Sequence, residues 1–306
     1  MYTDYDVIIV GSGVAGLAAG IYVSRAGLNV VVMEKSSMGG ELMNRQLIEN
    51  YPGFADGIQG PELAAAMLAQ AEKSGVEFMN CEVQNIKSKN RLHTVYTNNG
   101  IYTSKAVIAA TGSHPRLLNV QGEAELTGKG VFYCATCDGP LLAGKSIVVA
   151  GGGDSGVSEA LHLANLGCKV TILVSKESPK ASAVLLTRVE ENPNVHIICN
   201  AKITEIKGND WVSEVVYEDI RTKVPIELEV EGVLVRIGMR PNTGFLKDVV
   251  ECSENGQIQV TEEMASSKEG IFAVGDIRAH SPAQIGAAGG DGIIAAMTAV
   301  KYIQML

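Results

Sequence analysis

Two cysteines separated by two residues, Cys134 and Cys137, stand in the run Cys134-Ala135-Thr136-Cys137-Asp138-Gly139. That spacing lets two thiols cycle between dithiol and disulfide, and the acid directly after them, Asp138, is placed to move a proton during the cycle. The same spacing is also half of a zinc knuckle. A structural zinc needs four ligands, however, and the chain has no second CxxC, CxxH or HxxxH, its five histidines standing apart. Disulfide exchange is therefore the expected chemistry. A turn or helix start at Asp138-Gly139-Pro140 would add amide dipoles that lower a thiol pKa and favour the reactive thiolate.

Two glycine turns flank this pair. Gly11-Ser12-Gly13-Val14-Ala15-Gly16 opens the chain, and Gly151-Gly152-Gly153-Asp154-Ser155-Gly156 follows the cysteines. Around the first, the pattern reads strand 6–10, glycine turn, helix to about Ala26 with Gly27 as its stop, then strand 29–34 ending on Glu34. An acid roughly 20 residues beyond the first glycine is where a carboxylate accepts hydrogen bonds from an adenosine ribose. The second unit repeats the plan with strand 146–150, a helix after Gly156 and strand 169–174. Carrying over the offset from Gly11 to Glu34 lands on Val174, so this unit has no acid for a 2′-hydroxyl. Lys176 and Lys180 come next; such lysines either pair with the 2′-phosphate of NADPH, as point charges without the fork of arginine, or belong to a solvated loop. One cofactor that supplies electrons, one that relays them and a cysteine pair that receives them outline a flavin disulfide reductase. Residues 139–146, GPLLAGKS, formally match the phosphate loop of ATPases, but they run from the cysteine motif into a strand, the reverse of the order that loop requires.

These sites need elements to hold them. A helix at 61–74, strands near 76–86, 93–96 and 102, and the apolar strand 106–110 with Thr111-Gly112 complete the first part. After Pro241-Asn242 come strand 270–274, Gly275-Asp276 and a helix predicted over 282–303, with Ser281 as cap and Pro282 at its first position. That last segment is too small for its own core and is expected to return to the first domain. The expected fold is α/β, with two Rossmann-like three-layer nucleotide-binding domains, the second inserted in the first. The boundaries are 1–113, 114–243 and 244–306. With 306 residues, 46% hydrophobic and 19% charged, the chain has the composition of a globular protein, and a net charge of −9 argues against a nucleic-acid partner. The apolar stretch 7–23 follows Asp4 and Asp6 rather than basic residues and is punctuated by glycines, so neither a signal peptide nor a membrane span is expected, and the expected location is cytoplasmic. Cys81, Cys168, Cys199 and Cys252 are read as packing or surface residues, and Trp211 as a turn residue without assigned role.

With these residues on view, the chain resembles low-molecular-weight thioredoxin reductases, class II pyridine nucleotide-disulfide oxidoreductases, over nearly its whole length. The resemblance rests on GSGVAG at 11–16, Glu34-Lys35, Gly39-Gly40-Glu41-Leu42, the run Glu49 to Phe54, Ala110-Thr111-Gly112, CATCDG at 134–139, GGGDSG at 151–156, Gly238 with Arg240 to Thr243, and Gly275-Asp276. It implies an FAD-dependent thioredoxin-disulfide reductase in which 1–113 and 244–306 bind FAD and 114–243 is the NAD(P)H-binding-type domain with the redox motif. FAD would contact Gly11, Ser12, Gly13, Ala15, Gly16, Glu34 and Lys35 at its adenosine diphosphate end. Toward the flavin it would meet Gly40, Glu41, Leu42, Asn50, Thr111, Gly112, Gly275, Asp276, Gln284 and Ile285. NADPH would meet Gly153, Asp154, Ser155, Lys176 and Lys180. The resemblance further implies that Cys137 faces the flavin, that Cys134 attacks thioredoxin with Asp138 as acid, and that Thr111-Gly112 and Pro241-Asn242 serve as hinges between two functional states. It implies a homodimer as well. The chain departs from the family's usual pattern where His-Arg-Arg and a further Arg would fall near 174–180, at Ala283 in place of Arg, and at Glu41 in place of Gln. Relatives without the arginines include reductases fed by a deazaflavin or ferredoxin, so that donor is the alternative to NADPH; a dithiol oxidase is the other alternative.

Overall fold

The structure, a computed structural model, describes residues 3–45, 47–48, 50–135 and 139–306. Glu49, Cys137 and Asp138, singled out above, lie outside the described residues. The chain divides into two compact units, one made of 1–114 with 240–306 and the other of 115–239.

In the first unit, β1 (Tyr5–Val10) leads through a glycine turn into α1 (Val14–Arg25) and on to β2 (Val30–Glu34). Short strands β3 (Leu47–Ile48) and β4 (Ile58–Gln59) pair ahead of α2 (Gly60–Ser74), which Gly75 closes in the left-handed region at φ +95°. Then come β5 (Glu77–Asn80), β6 (Val83–Lys89), β7 (Leu92–Thr97), β8 (Ile101–Ala109) and β9 (Ser113–Pro115). The main sheet runs β5-β2-β1-β8-β7-β6, parallel from β5 to β8 and antiparallel beyond. Its central strands are apolar on both faces, as strands covered on two sides must be. Val7 and Ile9 pack with α1, while Ile8 and Val10 pack with Val31, Met33 and Val107 on the other face.

The second unit contains β10 (Val131–Phe132), β11 (Ser146–Ala150), α3 (Asp154–Asn165), β12 (Lys169–Val174), α4 (Ala183–Glu190) and β13 (Val195–Cys199). It continues through β14 (Ala201–Gly208), β15 (Val212–Asp219), β16 (Pro225–Glu229) and β17 (Gly232–Val235) to β18 (Met239–Pro241). A parallel sheet, β10-β17-β11-β12-β13, carries Ile147, Val149 and Ile172 toward α3, and the antiparallel sheet β14-β15-β16 covers its other face through Ile203 and Val215. Residues 139–146 enter β11 from a short 3-10 turn and precede no helix, so the phosphate-loop match fails on topology as expected. Trp211 sits in the turn between β14 and β15, its indole N–H donating to Glu231 O at 2.7 Å and Lys145 lying over its ring.

The chain then returns to the first sheet. β19 (Ile271–Ala273) pairs parallel with the last third of β8, whose opening residues pair with β7, so one long strand serves two partners on the same edge. α5 (Ile285–Gln304) packs across α1, where a Cβ on Gly292 would overlap Ala15 O. The predicted helix start at Pro282 is corrected. Ala283 takes φ +52°, which no helical residue adopts, Ser281 Oγ receives Ala283 N at 3.2 Å as a local turn, and the helix begins after Gln284.

Candidate active site

The two glycine turns share one geometry. Gly11 and Gly151 sit at φ +104° and +130°, backbone that side chains avoid, and a Cβ on Gly16 or Gly156 would overlap the carbonyl of Gly11 or Gly151. Those glycines close the turn. Gly13 and Gly153 have open space where their Cβ atoms would stand, and each starts a helix with no side chain capping its free amides. Uncapped amides, a favourable dipole and room for close approach make an anion cradle at each turn.

Glu34 lies beside the first cradle and is 8% exposed. Burial alone would push its carboxyl up; the N–H and hydroxyl of Ser12 at 2.9 Å, with those of Ser36 at 3.0 and 3.1 Å, outweigh it and hold Glu34 below the usual carboxylate range. It is thus an ionised acceptor, as ribose recognition requires. Ser12 Oγ also receives Gly39 N at 3.1 Å, which ties the following loop to the turn, and a Cβ on Gly40 would stand 3.0 Å from Gly13 Cα. Glu41 pairs with Arg45 at 3.3 Å on the surface, Leu42 is buried, and Lys35 stands exposed near Glu82.

The returning segment meets the same turn. A Cβ on Gly275 would lie 3.4 Å from Ala15 Cβ, and Asn50 Nδ2 donates to Gln284 Oε1 at 3.1 Å, joining residues 234 positions apart. Ile285 packs with Val14 and Leu42. Asp276 is pushed up from the ordinary carboxylate value by burial and by the Glu41 charge, against a hydrogen bond of 3.5 Å from Ser113. Thr111 and Asn242 clasp one another, Thr111 Oγ1 donating to Asn242 O at 2.7 Å and Asn242 Nδ2 to Thr111 O at 2.8 Å, with Gly112 O accepting Asn242 N at 3.0 Å. An ion pair that sequence reasoning missed anchors the Gly275 turn. Asp291, 5% exposed on α5, accepts Gly275 N at 3.1 Å and holds Arg278 by two bonds of 2.6 and 3.0 Å. An acid inside the apolar run 285–296 is the signal that could have found it.

In the second unit Cys134 follows β10, half-buried and bonded in a disulfide, while Cys81, Cys168, Cys199 and Cys252 are free thiols. Cys168 is buried and donates to Leu142 O at 3.1 Å, a packing role. Ala135 N donates to Glu159 Oε2 at 3.1 Å. His162, one turn further along α3, has its Nε2 buried without a hydrogen-bond partner, 4.0 Å from where a Cβ on Gly139 would stand. At the second cradle, Lys180 N donates to Gly152 O at 2.7 Å and Ser182 N to Asp154 Oδ1 at 2.6 Å, so residues 179–182 fold against the turn. Ser155 lies in the first turn of α3, and the side chains of Lys176 and Lys180 are exposed. Val174 occupies the ribose-acid position and packs on Gly152.

No helix among the described residues is long and apolar enough to cross a membrane. Residues 5–292 match the family model described as pyridine nucleotide-disulphide oxidoreductase. The chain is 41% identical over 306 residues to a thioredoxin reductase of Treponema pallidum (strain Nichols), with 100% of this chain and 99% of the other covered. It is 39% identical to a thioredoxin reductase of Bacillus subtilis (strain 168), covering 99% and 96%. A solved thioredoxin reductase of Lactococcus lactis superposes with a TM-score of 0.93 at 36% identity, covering 99% of this chain and 100% of that one. A family model matched over nearly the whole chain, full-length relatives at about 40% identity and a superposing solved structure agree, and the chain belongs to the thioredoxin reductase family of pyridine nucleotide-disulphide oxidoreductases.

Proposed function

We propose that this chain is an FAD-dependent thioredoxin-disulfide reductase, in which electrons from NADPH reduce a Cys134–Cys137 disulfide and the resulting dithiol reduces thioredoxin. The observation that carries the reading is the disulfide state of Cys134, at the foot of a glycine-turn domain whose other described cysteines are free. The residues present fit both nucleotides: the space at Gly13, the uncapped start of α1 and the ionised Glu34 suit the adenosine diphosphate of FAD, and the space at Gly153 suits a second pyrophosphate.

Gly11, Ser12, Gly13, Ala15 and Gly16 would hold the FAD phosphates, and Glu34 with Lys35 the adenosine. Gly40 to Leu42, Asn50, Thr111, Gly112, Gly275, Asp276, Gln284 and Ile285 would line the rest. Gly153, Asp154 and Ser155 would take the NADPH phosphates, with Lys176 and Lys180 at the 2′-phosphate. FAD, when bound, supplies a two-electron carrier between NADPH and the disulfide. In the dithiol state, the Cys134 thiolate attacks one sulfur of the thioredoxin disulfide, forming a mixed disulfide and releasing one thioredoxin thiolate. Cys137 then attacks Cys134 Sγ, re-forming the intrachain disulfide and releasing the second thiolate. Two protons complete the thioredoxin dithiol, and we assign the delivery of one to Asp138. We assign the FAD role to 1–113 with 244–306 and the NADPH role to 114–243, and expect a homodimer in the cytoplasm.

Replacing Cys134 by Ser should abolish thioredoxin reduction while the yellow flavin stays bound, and full turnover in that variant overturns the scheme. Anaerobic mixing with NADPH should bleach the flavin band. Bleaching only by a reduced deazaflavin or ferredoxin would replace the donor, and steady oxygen consumption with a dithiol would mark an oxidase.

A further inference from the structure

One buried ion pair grips the backbone on both sides of Cys134. Arg236, the residue after β17, approaches Glu159 of α3 with Nη2 to Oε1 at 2.6 Å, and the two side chains are only 9% and 14% exposed. The atoms left over point the same way. Glu159 Oε2 accepts the N–H of Ala135 at 3.1 Å, and Arg236 Nη1 donates to the carbonyl of Tyr133 at 3.1 Å. Tyr133 is held again through its hydroxyl, which donates to Glu123 at 3.1 Å.

Burying two charges costs desolvation that their attraction barely returns, so apolar residues of like volume would serve stability as well. What apolar residues cannot supply is direction. A guanidinium fork and a carboxylate hold fixed angles, and here each spends its second contact on a peptide group adjoining the redox cysteine.

We propose that Glu159 and Arg236 are positioning residues for the exchange reaction: together they fix the backbone that presents Cys134, and as opposite charges beside it they balance the field its sulfur feels. This rests on the reading of Cys134 as a redox-active thiol. Removing one charge takes away the other's partner in this ion pair. In Glu159→Gln the amide oxygen can still accept from Ala135, and the remaining Arg236 cation favours the thiolate, hence the dithiol state. In Arg236→Gln the remaining Glu159 anion disfavours it, and the link to Tyr133 is lost.

The test uses the flavin-loaded protein, equilibrated in dithiothreitol redox buffers and quenched by alkylation to count Cys134 as thiol or disulfide. Glu159→Gln should shift the equilibrium about tenfold toward dithiol and Arg236→Gln about tenfold toward disulfide, about 30 mV each way for a two-electron couple. The double variant Glu159→Gln with Arg236→Gln, which removes both charges of this pair, should return near the unmodified equilibrium yet keep a thioredoxin-linked kcat about tenfold low with KM unchanged. Circular dichroism and flavin content establish that each variant is folded. Shifts in the same direction, or no shift in either folded single variant, overturn the inference, as does full kcat in the double variant. The titration uses no thioredoxin, so unmodified protein that titrates normally but fails to reduce thioredoxin defeats the proposed function alone.

Discussion

Removing the carboxylate of Asp291 should be among the most damaging single changes in the first unit. The side chain is 5% exposed and takes three hydrogen bonds, two from Arg278 at 2.6 and 3.0 Å and one from Gly275 N at 3.1 Å. In Asp291→Ala the Arg278 guanidinium, only 15% exposed, keeps a single acceptor, the carbonyl of Ala279. Breaking one side of such a pair costs about 3–5 kcal/mol because the surviving charge stays buried. The Gly275 amide also loses its acceptor, and since the contacts share one network the losses do not add, so about 4 kcal/mol is expected in total. For a unit of this size each kcal/mol lowers Tm by roughly 2–4 °C, giving a fall of roughly 8–16 °C. Circular dichroism on heating is the direct assay, with flavin-release fluorescence beside it as the readout of the unit proposed to hold FAD. The double change Asp291→Leu with Arg278→Met removes both charges and should recover most of the loss. A fall under about 1 kcal/mol in the single variant, or a double variant as damaged as the single, would refute the reasoning.

Two further outcomes are expected. His93 is fully buried, with Ser88 on Nδ1 at 2.7 Å and no partner on Nε2, and burial, with a smaller contribution from Lys268, pushes its pKa down to about 4. Neutral His93 therefore stabilises the fold fully above pH 6.5, and that contribution is lost as pH falls from 6.5 toward 4, roughly 3 kcal/mol in all. Denaturant unfolding at pH 7 and pH 4.5 should show it, and His93→Asn should flatten the dependence; an equally steep loss in that variant would assign it elsewhere. The glycines of the first turn should separate folding from cofactor binding. Gly16→Ala forces a Cβ into Gly11 O and should prevent correct closure of the turn, whereas Gly13→Ala meets nothing within the chain and should change stability by no more than about 1 kcal/mol while FAD affinity drops, as read by flavin retention on gel filtration.

Much of the site was legible because it is local. Glycine spacing sets where a turn can close, strand and helix rise set how far Glu34 stands from Gly11, and the run from Cys134 to Gly139 needs no distant residue to be recognised as exchange chemistry. The polar contacts that hold these parts were not legible, since nothing in one chain says which distant charges meet. Asp291 and Arg278, Glu159 and Arg236, and Asn50 and Gln284 are brought together only when α3, α5 and β17 pack on their sheets. The start of α5 was misplaced for the same reason: Ser281 and Pro282 are sound local start signals, and the tertiary structure overrode them by holding Ala283 left-handed and seating Gln284 against Asn50. The sequence by itself determined the two glycine turns and the strand-turn-helix-strand units around them, short-range consequences of spacing, while the helix Ala183–Glu190 and the antiparallel strands between 201 and 229 had no such local signature. Which buried charges anchor the Gly275 turn and the backbone around Cys134 was decided by tertiary packing, because ionised groups taken out of water must find partners wherever the fold delivers them.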